Sequence, residues 1–182
     1  MIMRKNLKLA LLVVFVLWLA YLVDLVVPVD LRLYGLRPHH LEGLWGIVCA
    51  PLLHANFSHL IANTGALFVL LIVSLAFSRR LTAVAVGVIM LLSGGLVWVF
   101  GRSNTIHIGA SAIIFGLIGF LIFIGIFRRD WRALAVSGVI FFIYGGALLS
   151  LFYYLPGISW EGHAFGFLSG VLAAWWTKAE KQ

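Results

Sequence analysis

The 182-residue sequence is poor in everything that keeps a domain in water. Only 10% of its residues are charged and 63% are hydrophobic, whereas a soluble domain carries about 25% charged and about 45–50% apolar residues. With a mean hydropathy of +1.11, an ordinary soluble fold and intrinsic disorder are both excluded. A single cysteine, Cys49, rules out a disulfide within the chain. Proline is confined to Pro28, Pro38, Pro51 and Pro156, each outside the interior of an apolar stretch, as a residue with no backbone donor must be. The six acidic residues are scattered, and no span holds two histidines at i,i+4, so a convergent metal-ligand set is lacking. There is no internal repeat and no low-complexity tract.

What the chain does have is long apolar runs. Six can be marked off: Leu9–Val27, Ser58–Phe77, Leu81–Phe100, Ser111–Phe127, Trp131–Leu155 and Gly162–Thr177. Six spans of about 20 residues leave about 60 for loops and tails. The expectation is one all-α polytopic membrane domain over residues 1–182 with six transmembrane helices and no separate soluble domain. The first stretch follows Arg4, Lys5 and Lys8 but has no small-x-small cleavage site before Pro28, so it reads as a retained helix and not as a signal peptide.

A net charge of +7 would normally raise nucleic acid as a partner. The placement of the charge decides otherwise. Ten of the thirteen basic residues fall at the amino terminus, in the second–third and fourth–fifth connections and at the carboxyl terminus, leaving Arg32, Arg37 and Arg102 for the other side. The positive-inside rule then expects both termini in the cytoplasm of a multi-pass cell-membrane protein, the bacterial inner membrane being the natural setting. All six histidines fall on the opposite side or in the outer ends of spans. That side also carries a long first loop, Pro28 to about Leu53, in which Leu44–Ala50 is apolar but too short to span, so it is expected to lie in the interface or re-enter. Gly101–Ala110 and Tyr154–Glu161 complete the outer face.

Polar side chains inside spans are costly and point to function. Three stretches supply them: His54-Ala-Asn-Phe-Ser-His59-Leu-Ile-Ala-Asn63, His107-Ile-Gly109-Ala110-Ser111-Ala112 and Gly162-His163-Ala-Phe-Gly166. Asn63 lies 16 residues from Arg79, Ser111 17 from Arg128 and His163 15 from Lys178. At about 1.5 Å per helical residue these are about 24, 26 and 23 Å, a common depth near the outer surface. His59 stands one turn above Asn63 on the same face. His163, Gly166 and Gly170 share one helix face, and Ala112, Gly116 and Gly119 another; small residues at this spacing let membrane helices approach closely. The fourth and sixth spans would then meet with Ser111 and His163 near their outer ends. A serine beside a neutral imidazole can become nucleophilic, and an oxyanion needs fixed donors such as Asn63, His59 and the amides around Ser111. No carboxylate lies at the same depth, so a Ser–His dyad is the simplest arrangement.

The motifs His54-x4-His59-x3-Asn63, Gly109-x-Ser111 and Gly162-His163-x-x-Gly166, in this order on the second, fourth and sixth spans, resemble those of the rhomboid intramembrane serine proteases in their minimal six-helix form. The resemblance covers essentially the whole chain. It implies a rhomboid-like bundle, an endopeptidase acting on membrane-anchored substrates, Ser111 as nucleophile and His163 as general base. His59 and Asn63 with the Ser111 amide would line the oxyanion hole, and Phe115 would pack on the catalytic histidine. The first loop would lie partly embedded beside the helices, and Tyr154–Glu161 would cap the site. No cofactor, metal or nucleic acid is implied; the partners are transmembrane proteins and the lipid bilayer. Two positions depart from the family pattern: Ala112 stands where Gly-x-Ser-Gly has its last glycine, and Gly46 follows Trp45 where many members have arginine. Ala112 favours the alternative of an inactive relative that binds transmembrane helices without cutting them. Singly, each polar residue has a plainer reading: a serine packs or caps a helix, Asn63 bonds between helices, His54 braces the loop–helix junction, His107 belongs to the loop feeding the serine, and His39 and His40 are solvated. By helical geometry His54, about 140° round from His59, is not expected to share its face.

Overall fold

The computed structural model of the protein describes residues 2–152 and 157–179. Among the described residues six long helices form: α1 (Ile2–Val26), α2 (Phe57–Phe77), α3 (Arg79–Phe100), α4 (Ser111–Arg128), α5 (Trp131–Leu148) and α6 (Trp160–Thr177). The first loop folds into short helical turns at Leu31–Tyr34, Leu41–Trp45, Gly46–Cys49 and Ala50–Leu52. Among the described residues the only extended pairing is an isolated bridge between Leu36 and His107. Five of the helices, α1 to α5 (the last with its 3-10 extension to Leu151), are long and apolar enough to cross a membrane. α6, which carries Glu161, His163 and three glycines, is not among those five.

The helix ends are written into the sequence. Ser78 is the single residue between α2 and α3, extended at φ −171° and ψ 132°, and its hydroxyl accepts from the Leu81 amide at 3.3 Å. Across the same turn Ser74 and Thr82 share a hydroxyl hydrogen bond of 2.9 Å. Arg129, with φ 55°, ends α4 in a left-handed cap, and Asp130 starts α5 by accepting from the Ala133 amide at 2.9 Å. At the far end, Asn56 starts α2 by accepting from the His59 amide at 2.8 Å. Side-chain caps of this kind satisfy donors that a helix start leaves open.

α4 is the central helix. It is buried continuously from Ile114 to Ile122, whereas α1 and α5 are peripheral, with only 11% of their apolar windows covered by protein. Large apolar side chains such as Phe15, Leu91, Phe141 and Phe142 are exposed, the surface of a multi-pass membrane protein whose outer face meets lipid. α4 packs on α6 through the two small-residue faces expected from the sequence. A methyl group at Gly119 would lie 2.5 Å from the Phe167 carbonyl, and one at Gly166 or Gly170 would collide with the carbonyl of Ala112 or Gly116. Backbone lies on backbone, which is how membrane helices gain packing without a hydrophobic drive between them.

The first loop is anchored to α3. The His39 ring bonds the Val99 carbonyl at 3.0 Å and Ser103 at 3.2 Å, and the Trp98 indole donates to the His40 carbonyl at 2.8 Å. His39 is exposed but tied down, a correction to its reading as a solvated loop residue. Gly46 lies against the Leu36 backbone, where no side chain would fit, so the glycine after Trp45 is a packing requirement. Asp24, at the end of α1, receives the Leu31 amide at 2.9 Å. Of the cap expected over Tyr154–Glu161, residues 153–156 lie outside the described residues, as does the expected end of the fifth span. Trp160 and Glu161 belong to the first turn of α6, and Glu161 is buried against Arg102. That corrects its assignment to an outer loop.

Candidate active site

Ser111, His163, His59, Asn63 and Phe115 all line one cavity of about 700 Å³, so the groups placed at a common depth by counting residues do converge. Ser111 is the first residue of α4, which begins with no side-chain cap. Its amide and the two that follow therefore have no partner within the helix. The preceding Gly109 has φ 105°, and its own amide donates to the Ala50 carbonyl at 2.8 Å. A methyl group there would sit 2.6 Å from Cε1 and 2.7 Å from Nε2 of His59, and 3.3 Å from Nδ2 of Asn63. The bare backbone of Gly109 thus holds the turn before Ser111 directly against both α2 side chains.

Asn63 is 6% exposed, and its Nδ2 finds no hydrogen-bond partner among the described residues. A buried donor left open costs about 1–3 kcal/mol. An amide left open beside a serine is a donor for which the described residues supply no acceptor.

His163 is held on two sides. The Phe115 ring stacks on it with centroids 4.0 Å apart and planes 13° from parallel. Its Nδ1 lies 3.3 Å from Oγ of Ser150, and the Ser150 hydroxyl donates its proton to the Ala147 carbonyl at 2.7 Å. Ser150 is thereby the acceptor, Nδ1 carries the ring proton, and Nε2 is left as the free base. The sequence contains no hint of this contact: Ser150 sits in a 3-10 turn at the end of α5, thirteen residues before the histidine.

His54 precedes α2, and its ring packs edge-on against His59 with centroids 5.1 Å apart. Helical counting placed the two on different faces; the segment before Phe57 is not helical, so that angle does not apply. Burial lowers the pKa of His54 to about 4, with the neighbouring His59 acting in the same direction and the bond to the Leu52 carbonyl opposing. Its Nδ1 braces the junction at 3.2 Å from Leu52 O, as expected. His107 lies in the loop that feeds Ser111, is 7% exposed and also lines the cavity. Ala112 presents its methyl about 4.0 Å from where a side chain on Gly162 would begin, an ordinary contact.

A serine at an uncapped helix start, a histidine with its tautomer set and an unpaired amide at one cavity make a site suited to acyl transfer. The family model described as "Rhomboid domain" matches residues 41–180, and the chain belongs to the rhomboid family. It is similar to an uncharacterized protein of Mycobacterium tuberculosis, Rv1337, with 40% identity over 179 residues, covering 93% of this chain and 74% of the relative. An uncharacterized Mycobacterium leprae protein, ML1171, is 38% identical over 177 residues, covering 91% and 69%. A Bacillus subtilis protein named "Putative rhomboid protease YdcA" is 29% identical over 143 residues, covering 76% and 69%. No solved structure matches.

Proposed function

We propose that this protein is an intramembrane serine endopeptidase that cleaves transmembrane-anchored proteins near the extracytoplasmic face. The observation that carries the reading is the convergence of Ser111 and His163 on one cavity with the open amide of Asn63. In the proposed reaction His163 Nε2 takes the Ser111 proton as Oγ attacks the scissile carbonyl. The oxyanion is received by Asn63, His59 and the Ser111 amide, and His163 returns the proton to the leaving amine. Water then hydrolyses the acyl-enzyme by the same steps in reverse roles. Ser150 takes the place of a triad carboxylate; a neutral hydroxyl orients the ring but stabilises the imidazolium less than a carboxylate does. The substrate helix must unwind locally, because its peptide bonds are occupied by their own hydrogen bonds, so helix-weakening residues near the cut are expected. The basic residues at the ends of α1, α2, α4 and α6 support six spans with both termini in the cytoplasm.

The second reading, an inactive relative that binds helices, draws on Ala112. Against it, the Ala112 methyl makes only an ordinary contact on its Gly162 side, about 4.0 Å from where a side chain there would begin. The test is labelling by a serine-directed fluorophosphonate, together with cleavage of a reconstituted transmembrane substrate. Wild type is expected to react, and Ser111→Ala and His163→Ala to lose both reactions. Labelling that survives in Ser111→Ala would refute the assignment of the nucleophile. Helix binding without cleavage or labelling would establish the inactive reading.

A further inference from the structure

The loop that delivers Ser111 and the helix start that delivers His163 are separate in sequence, and the imidazole of His107 joins them. His107 Nδ1 lies 2.5 Å from Oγ of Ser159, and its Nε2 lies 2.9 Å from Oγ1 of Thr105. Both proton positions follow from the neighbours. Ser159 accepts from the Gly162 amide at 3.1 Å, so its own proton is free to go to Nδ1. Thr105 donates to the Arg102 carbonyl at 2.6 Å, so it accepts from Nε2–H. The chain runs in one direction: Gly162 N–H to Ser159, Ser159 O–H to His107, His107 N–H to Thr105, Thr105 O–H to the Arg102 carbonyl. Every polar atom of the imidazole is satisfied in the neutral form and in one tautomer only.

The surroundings favour that neutral form. Burial holds the pKa of His107 below its ordinary value, the Glu161 carboxylate acts against this, and the Arg102 cation acts with it. Glu161 and Arg102 are bonded to each other at 2.5 and 3.1 Å, a second tie between the same loop and the same first turn of α6. The backbone of His107 is also fixed, exchanging both of its hydrogen bonds with Leu36 at 2.9 Å. The imidazole is therefore a rigid strut between the anchored first loop and the amino-terminal cap of α6. His107 stands two residues before Gly109 and four before Ser111; Ser159 stands four before His163.

We propose that His107 is a positioning residue that sets the placement of Ser111 relative to His163 by bonding the cap residue Ser159. This rests on the endopeptidase reading above and names a device of that same site. His107 need not touch substrate; it acts through the two segments it joins.

The test is the rate of fluorophosphonate labelling of Ser111 in the full-length protein, with thermal unfolding measured in parallel. His107→Leu fills the same space but cannot bond Ser159, and its labelling is expected to fall by about tenfold, the scale of one buried hydrogen bond lost at a reacting centre. His107→Asn places an acceptor where Nδ1 was and is expected to recover to within about threefold of wild type. That rescue is one which simple filling of space would not give. Thr105→Val removes the far end of the chain at nearly constant shape and, combined with His107→Leu, should add nothing further. If His107→Leu labels at the wild-type rate while His163→Ala does not label, the positioning role is overturned and the dyad stands. Equal rates for the Asn and Leu variants would overturn it as well. A wild-type protein that does not label at Ser111, although its cavity is open to the probe, removes the endopeptidase reading itself.

Discussion

Gly109→Ala separates the chemistry of this site from the stability of the fold. Two effects act on the new methyl group. The residue has φ 105°, a conformation that costs a side-chain-bearing residue about 1–3 kcal/mol. The methyl would also come within 2.7 Å of the His59 ring and 3.3 Å of the Asn63 amide. Both are side chains at the edge of a cavity and not buried backbone, so they can yield by moving into it. The fold should therefore survive at a cost of about 2 kcal/mol, a shift of a few degrees in unfolding temperature for a chain of this size. The site should not survive. Displacing the His59 ring and the Asn63 amide removes the proposed oxyanion donors, and loss of one such donor elsewhere costs about 100- to 1,000-fold in rate.

The assay is the labelling rate of Ser111 alongside peptide-bond cleavage and the unfolding temperature in the same detergent. The expected signature is disproportion, an activity loss of at least about 100-fold with a stability loss worth only about 30-fold in the folding equilibrium. Gly87→Ala is the control: this α3 glycine faces open space, and alanine in its place should leave activity alone and stabilise the helix by about 0.5–1 kcal/mol. A Gly109→Ala protein that labels and cleaves at the wild-type rate would refute the argument, because the donors would then not depend on the bare backbone at that position.

The other expectations concern packing, orientation and protonation. Gly170→Ala drives a methyl group into the Gly116 carbonyl, and separating α4 from α6 to admit it should cost about 1–3 kcal/mol by thermal unfolding; an unchanged midpoint would mean that the helices are not in backbone contact. Phe115→Leu removes the ring stacked on His163 and should slow labelling about fivefold with little change in stability, while Phe115→Tyr retains the rate. Stability should also fall in acid through His54. Its pKa is about 4 in the folded protein against 6.5 ordinarily, so between these values the unfolded chain binds the extra proton. The contribution is whole above pH about 6.5 and declines as pH falls towards about 4, by roughly 3 kcal/mol in all. His54→Asn, measured by pH-dependent unfolding, should flatten that decline.

The elements of this fold that depend on local pattern were legible in the sequence, and those that depend on distant approach were not. The apolar runs placed α2 to α4 within two residues at each end, because a membrane span is a matter of length and composition, but missed the start of α1 by seven, since that helix extends through Arg4, Lys5 and Lys8 to Ile2. The small faces of α4 and α6 could be paired on paper since close backbone approach has one common signature, glycine or alanine on a single face. Likewise Ser111, His163, Asn63 and His59 could be brought to one level by counting residues along rigid helices. Counting failed where the chain is not helical. It separated His54 from His59 although their rings touch, and it left Glu161 in a loop although the residue opens α6. Ser150 and Ser159 carried no signal at all. Each lies in or beside a turn, each is an ordinary serine, and each matters because of the histidine it meets, thirteen residues away for Ser150 and fifty-two for Ser159. Hydrogen bonds of that kind are set by how turns fold back, and no periodicity records them.

The distribution of satisfied and unsatisfied groups separates support from machinery here. His107, Ser159, Thr105, Arg102 and Glu161 form a closed set in which each named donor has an acceptor, the condition under which buried polar groups rigidify a structure. Asn63 leaves an amide open, and α4 starts at Ser111 without a cap. Open groups of this kind destabilise a fold unless something outside the chain completes them. Both lie on the same cavity, beside a histidine whose proton is already placed by Ser150. Ala112 stands at the α4–α6 seam, its methyl about 4.0 Å from where a side chain on Gly162 would begin and its carbonyl against Gly166. The departure from the family pattern therefore falls on the packing surface between α4 and α6, where the two backbones already lie in contact.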